Sequence, residues 1–229
     1  MECEINEIEK FIFFSEQSDD YIFINKDPKS KFFLLPELLA YLKTIVGHKF
    51  EKLCFVILLK DGYQEVKLTK PTRDKGVDVY AFFSINLQSI FKRKFYEKTL
   101  FLLFGEAKTK KPTTKTKSIG YDVVLKIIGS LEHFKKKPEK YFLIDDDVEL
   151  NIKPFVIANA EFSEDAMEYA TDMGIALFNR FLVGICIINL EIACYLSNGK
   201  WMLNIDELNE IYIKDLNDLK TIYLKKDKG

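Results

Sequence analysis

The apolar positions of this chain change period several times, and each change marks an element. Residues 11–25 alternate aromatic and β-branched runs on either side of a Ser-Glu-Gln-Ser-Asp-Asp stretch, which predicts a hairpin. Pro36 suits the first turn of a helix that runs to Val46 and is ended by Gly47. Leu53, Phe55, Val56 and Leu59 then recur at near-helical spacing and predict a helix over 48–60, closed by Asp61-Gly62. Strands are predicted next over 63–69, 77–85 and 100–106, with an amphipathic basic helix over 87–98 inserted before the last. Residues 108–117, rich in lysine and threonine, read as a mobile loop.

A long helix opens at Ser118 or Gly120 and runs to Lys136, and an apolar strand follows over 153–159. Ser163 can cap the next helix, with Glu164 and Asp165 complementing its dipole, and Gly174 ends it before a short strand over 175–178. Residues 181–196 and 206–219 are predicted helical, and 225–229 form a frayed end. The core order is therefore helix, three strands, helix, strand, helix, strand. Such an order implies an α/β domain whose first strands are antiparallel and whose later strands join through helical crossovers.

Composition narrows the function classes. The 229 residues are 48% hydrophobic, enough for one packed domain. Lys+Arg 34 against Asp+Glu 35 gives net charge −1, so nucleic-acid binding would rest on local basic patches. Arg73, Arg93 and Arg180 are the only arginines, which disfavours bidentate arginine reading of guanine. Cys3, Cys54, Cys186 and Cys194 form no C-x-x-C, and His48 and His133 are the only histidines, so a zinc site is not expected. Reduced cysteines in an intracellular, cytoplasmic protein are the expectation. Residues 1–10 lack the basic and apolar segments of a signal peptide, and there is no apolar run of about 18 residues, so no membrane partner is expected.

Two acidic motifs on consecutive predicted strands carry the candidate chemistry. The first is Asp74-Lys75-Gly76-Val77-Asp78 and the second Leu102-Leu103-Phe104-Gly105-Glu106-Ala107-Lys108. Glu106 and Lys108 are two apart and share a strand face, while Ala107 points the other way, into the core. Carboxylates from Asp78 and Glu106 suit a hard cation such as Mg²⁺ or Mn²⁺, and Lys108 can orient or activate the attacking water. A phosphodiester is anionic and repels hydroxide, so metal and lysine must offset that charge. Lys110, Lys111, Lys115 and Lys117 would line the rim of the cleft and meet phosphates, with Lys92 and Arg93 as a second basic face. Lys117 has an alternative place inside the site, reaching it from the next helix. Asp145-Asp146-Asp147 reads as a solvated turn, because three adjacent carboxylates cannot all face one ion.

The chain resembles the PD-(D/E)xK nucleases, and among them the Mrr-like restriction endonuclease domains, over residues 48–180. Phe50-Glu51-Lys52-Leu53 resembles the opening helix with its acid, and Thr72 through Asp78 resembles the acidic, glycine-containing motif. Glu106-Ala107-Lys108 stands where the family has (D/E/Q)-x-K. Phe162-Ser163-Glu164-Asp165-Ala166, with Gly174-Ile175-Ala176-Leu177, resembles the late helix-strand unit, which carries no chemistry. The resemblance implies a restriction-endonuclease-like α/β fold, a central mixed β-sheet flanked by helices with an αβββαβαβ-type core. An N-terminal extension (1–47) and a C-terminal helical extension (181–229) would flank that core. Glu51, Asp78, Glu106 and Lys108 would be catalytic, with Asp78 and Glu106 on the metal. There are departures: a long insert separates Asp78 from Glu106, Lys75 replaces a second glycine, and Glu106 replaces the glutamine common in this group.

The function implied is a metal-dependent DNA endonuclease of low sequence specificity or structure selectivity. Double-strand cleavage needs two sites, so a homodimer is expected, with the C-terminal helices as candidates for its interface. Two alternatives stay open: cleavage of RNA or of branched or single-stranded DNA, and a non-catalytic nucleic-acid-binding subunit with the same fold.

Overall fold

The computed structural model describes residues 12–14, 21–23, 27–63, 65–69, 77–85, 98–110, 118–136 and 148–225. Its elements begin with β1 (Ile12–Phe14), β2 (Tyr21–Phe23), α1 (Leu35–Leu42), α2 (His48–Lys60), β3 (Glu65–Leu68), β4 (Val79–Ile85) and β5 (Lys98–Lys108). They continue with β6 (Ser118–Ile119), α3 (Tyr121–Lys136), β7 (Val148–Ala158), β8 (Glu161–Phe162), α4 (Glu164–Asp172) and β9 (Ala176–Phe178). The last are α5 (Arg180–Asn189), β10 (Cys194–Ser197), β11 (Lys200–Leu203), α6 (Ile205–Ile213) and α7 (Leu216–Lys225).

The central sheet has five strands in the order β3-β4-β5-β7-β9. β3, β4 and β5 are antiparallel neighbours, whereas β5-β7 and β7-β9 are parallel pairs reached through α3 and α4. The expected mixed sheet and αβββαβαβ order are what the chain adopts. Both faces of the sheet are covered, which is why β5 and β7 are apolar along most of their length. On one face Val79, Ala81, Phe155 and Ile157 pack with α1, α2 and α5–α7. On the other, Phe82, Leu102, Val156 and Ala158 pack with α3 and α4. Phe50, Phe55 and Leu102 are fully buried, each contributing about 1.5–3 kcal/mol by leaving water.

Side-chain alternation along β5 decides where the chemistry falls. Leu103 and Ala107 face the α2 side, so Glu106 shares the α3 side with Leu102. Gly105 lies opposite Phe155 in the β5-β7 register, and a Cβ there would fall inside the Phe155 ring. The glycine before Glu106 thus lets the two strands close over an aromatic side chain.

Several boundaries differ from the sequence expectation. Ser118-Ile119 is a short strand pairing with β8, and α3 begins at Tyr121, after Gly120. The stretch 181–196 is not one helix: α5 ends at Asn189, and Cys194 starts the β10-β11 hairpin. Glu191 and Ala193 adopt positive φ, which breaks the helix, and Asn198-Gly199 turns the hairpin with φ of 50° and 74°. The stretch 206–219 divides into α6 and α7, because the Asp215 carboxylate accepts from the Asn217 and Asp218 N–H groups and starts a new helix. Of the helix expected over 87–98, Lys98 instead starts β5; of the loop expected over 108–117, Lys108 ends β5; and of the end expected frayed over 225–229, Lys225 ends α7. Residues 87–97, 111–117 and 226–229, with the Asp145–Asp147 turn, lie outside the described residues.

Candidate active site

The starting ends of β4 and the finishing ends of β3, β5 and β7 meet at one edge of the sheet. Asp78 precedes β4 at this edge and continues the ladder on both sides. Its carbonyl accepts from Thr69 N–H, and its own N–H donates to the Gly105 carbonyl, both at 3.0 Å. Its carboxylate Oδ2 accepts from Ala107 N–H at 2.8 Å. Asp78 therefore holds the backbone on both sides of Glu106. Burial pushes the Asp78 pKa up to about 6; the Ala107 hydrogen bond opposes that, the nearby Glu106 and Glu51 charges add to it, and Lys108 offsets part of it.

Glu106 is a fully buried carboxylate at 0% exposure. Its Oε1 accepts from two ammonium groups, Lys108 Nζ at 2.5 Å and Lys126 Nζ at 3.0 Å. Its Oε2 is buried and has no hydrogen-bond partner among the described residues. Leaving a buried carboxylate oxygen bare is costly, so Oε2 is open to a further partner. Lys108 comes from the last residue of β5, with about a third of its side chain exposed. Partial burial alone would lower its pKa, but hydrogen bonding and charge from Glu106, with smaller help from Asp78 and Lys126, raise it overall. Lys108 is thus an ammonium at neutral pH.

Residues 42–181, more than half of the chain, match the restriction endonuclease family through its Mrr catalytic domain. The chain belongs to this family. Among solved structures, it is similar to MspJI restriction endonuclease in complex with a 27-mer oligonucleotide: identity is 15% over 85% of this chain and 35% of that one, with a TM-score of 0.45. It is also similar to the DNA modification-dependent restriction endonuclease AspBHI, at 13% identity over 84% of this chain and 40% of that one, with a TM-score of 0.49. The chain spans less than half the length of either. None of the curated proteins compared with it matches.

In this restriction endonuclease domain, Asp78, Glu106 and Lys108 come together at one sheet edge. Glu51 comes from a different element. It lies in the first turn of α2, on the helix that covers the face opposite Glu106, and it pairs with His48 Nδ1 at 2.9 Å. Its charge still reaches Asp78. Among the described residues, no three His, Cys, Asp or Glu side chains converge into a complete ligand set. The hard donors available are the Asp78 carboxylate and Glu106 Oε2.

Of the basic candidates, Lys110 directly follows the site, and its backbone N–H donates to Asn159 Oδ1 at 2.8 Å. Lys111, Lys115, Lys117, Lys92 and Arg93 lie outside the described residues.

Two residues were not singled out in the sequence. Lys126, on α3, flanks the buried stripe of Val123, Ile127 and Ser130, and its place beside that stripe was the available signal. Asn159 ends the apolar run of β7 and is 2% exposed. Its Nδ2 donates to the Ile45 carbonyl at 2.6 Å, its Oδ1 accepts from Lys110 N–H, and its own N–H donates to the Lys108 carbonyl at 3.2 Å. Gly47, at φ +58°, gives its N–H to Thr109 Oγ1 at 3.1 Å. Together these bonds tie the exit of β5 to the α1–α2 connection and fix the strand end that carries Lys108.

Proposed function

We propose that this domain is a divalent-metal-dependent endonuclease that hydrolyses phosphodiester bonds in DNA, with low sequence specificity or with selectivity for structure. The observation that carries it is the bare Oε2 of a fully buried Glu106, beside an Asp78 carboxylate whose pKa is raised by burial and by its acidic neighbours. Two hard oxygen donors under mutual repulsion suit Mg²⁺ or Mn²⁺, which binds through one or two carboxylates and leaves its other positions to water and phosphate. Such an ion would neutralise charge on the scissile phosphate and activate water for attack.

The chain's own residues then have distinct roles. Glu106 presents Oε2, held in place because its Oε1 is already engaged. Asp78 presents its carboxylate while its Oδ2 keeps the Ala107 N–H, so the two acids share one rigid strand pair. Lys108, as an ammonium, donates hydrogen bonds to the attacking water or to a phosphate oxygen, where positive charge stabilises the transition state. Glu51 adjusts the field at Asp78 from outside the immediate pair. The lysines that follow Lys108 meet phosphates and position the strand without reading bases.

A homodimer would supply the second site that a double-strand cut requires. Leu208, Ile211, Leu219 and Tyr223 of α6 and α7 are buried against the core that includes α2. The outer surface of these helices, with Ile213 at 83% exposure, is left for a second copy. The free thiols Cys54, Cys186 and Cys194 suit a reducing, intracellular setting.

The test is nicking of supercoiled plasmid with Mg²⁺ or Mn²⁺, wild type beside Lys108→Ala, with RNA and branched DNA run in parallel. The wild type is expected to nick the plasmid, and Lys108→Ala to do so at least about 100-fold more slowly. Equal rates would refute the role of Lys108. Cleavage of RNA or branched DNA alone would replace DNA duplex as the substrate.

A further inference from the structure

Lys126 makes a contact that a simple surface ion pair does not explain. Two ammonium groups crowd onto Glu106 Oε1, at 2.5 Å for Lys108 and 3.0 Å for Lys126, while Oε2 of the same carboxylate is bare. Two lysines serving only stability would spread over both oxygens, since like charges repel and an unpaired buried oxygen is costly. The two lysines also come from different elements. Lys108 ends β5, whereas Lys126 reaches in from α3, a helix packed on the same sheet face through Val124 and Ile127.

The arrangement answers a problem set by the chemistry proposed above, on which this inference rests. If Lys108 turned to a water or phosphate with no other cation present, Oε1 of a fully buried carboxylate would lose its partner. Breaking a buried pair by removing one member is strongly unfavourable, so Lys108 alone would be held back. A second ammonium on the same oxygen removes that penalty. We propose that Lys126 is a positioning residue of the active site, a resident counter-ion that keeps Glu106 Oε1 engaged and releases Lys108 to the substrate. The same charge stands close to the ion that Oε2 would take. Lys126 therefore weakens metal binding in the absence of nucleic acid, trading affinity for a mobile Lys108.

The test compares wild type, Lys126→Met and Lys126→Arg in two assays. The first is calorimetric titration of Mn²⁺ into the protein without nucleic acid. The second is plasmid nicking, with kcat and KM determined separately. Lys126→Met is expected to bind Mn²⁺ roughly tenfold more tightly, because one positive charge near the ion is gone. Its kcat should fall by about tenfold or more while KM for the plasmid changes little, because the loss lies in releasing Lys108 rather than in holding DNA. Lys126→Arg keeps the charge and should restore wild-type Mn²⁺ affinity and part of kcat. About half of the Lys126 side chain is exposed, so both variants should fold, with melting temperatures near that of the wild type.

Weaker Mn²⁺ binding by Lys126→Met would show that Lys126 merely supports Glu106, and would overturn the proposal. Unchanged affinity and kcat would reduce the contact to a surface ion pair, with the same consequence. A change in KM alone would make Lys126 a DNA contact instead. Absence of Mn²⁺ binding by the wild type would overturn both the metal-site reading and this inference. Binding by the wild type with no response to Lys126 would overturn the inference alone.

Discussion

Glu106, near the end of β5, and Asn159, directly after β7, lie at the same edge of one sheet and both are buried, at 0% and 2% exposure, yet their polar atoms are treated in opposite ways. Asn159 is engaged through its carboxamide oxygen, its carboxamide nitrogen and its backbone N–H, binding the Lys110 and Ile45 backbones and the carbonyl of Lys108. Glu106 has one oxygen shared by two lysines and the other left bare. A buried polar group with its partners complete stiffens the scaffold, whereas one with a vacant acceptor holds binding capacity in reserve. The contrast separates frame from chemistry at a sheet edge where both are present.

The sharpest way to break the comparison is to neutralise each residue in turn. Glu106→Gln should leave stability within about 1 kcal/mol of wild type, because the carboxamide oxygen still accepts from the two lysines and both lysines are exposed enough to keep water. Its nicking rate should fall by about 1,000-fold through loss of charge where the phosphate is neutralised. Asn159→Ala should do the reverse in urea unfolding. It removes the hydrogen bonds to the Lys110 N–H and the Ile45 carbonyl, at about 1–3 kcal/mol each, so a total loss of about 2–6 kcal/mol is expected. Nicking by the folded fraction should decline less than in Glu106→Gln. A large stability loss in Glu106→Gln would show that the two residues serve one structural purpose.

A smaller effect sharpens the comparison through pH. The Asp78 carboxyl has a pKa of about 6 in the folded protein, against about 3.9 when unfolded. The folded state therefore binds the proton more tightly, and wild-type stability declines as pH rises through the interval from about 4 to 6. Asp78→Asn retains an acceptor for Ala107 N–H and lacks this loss. Its stability relative to the metal-free wild type should increase across that interval and level off above it. After allowance for solvent screening, the gain is about 1 kcal/mol. Paired thermal melts at pH 4.5 and 7.5 in the presence of a chelator measure it. A relative gain that shrinks as pH rises would contradict the Asp78 environment described above.

Much of the frame was legible because it depends on local period and punctuation. The helix over 48–60, the cap at Ser163 and the stop at Gly174 all follow from neighbouring residues, and Ser163 Oγ does accept from Ala166 N–H. The antiparallel first strands and the helical crossovers to the later ones followed from the alternation of elements. The β10-β11 hairpin was missed because Phe181 to Leu196 is apolar apart from Asn189 and Glu191, and composition outweighed the turn signal in Asn198-Gly199. The break between α6 and α7 depends on a single carboxylate at Asp215.

In the candidate site, Asp78, Glu106 and Lys108 were legible because strand alternation aligns them. Lys126 and Asn159 were not, since each acts across distances that period cannot carry. The lysine is 20 residues from its carboxylate, and the asparagine reaches a carbonyl 114 residues away. Over such separations, partners are set by how the helices dock on the sheet.

The central claim is that Glu106 Oε2 and Asp78 form the seat of a divalent cation. Crystals of the wild-type protein grown with Mn²⁺, measured near the manganese absorption edge, test it most directly. The account predicts an anomalous peak bonded to Glu106 Oε2 and to the Asp78 carboxylate, absent from crystals of Glu106→Gln. No peak in the wild type, or a peak away from both carboxylates, would contradict it.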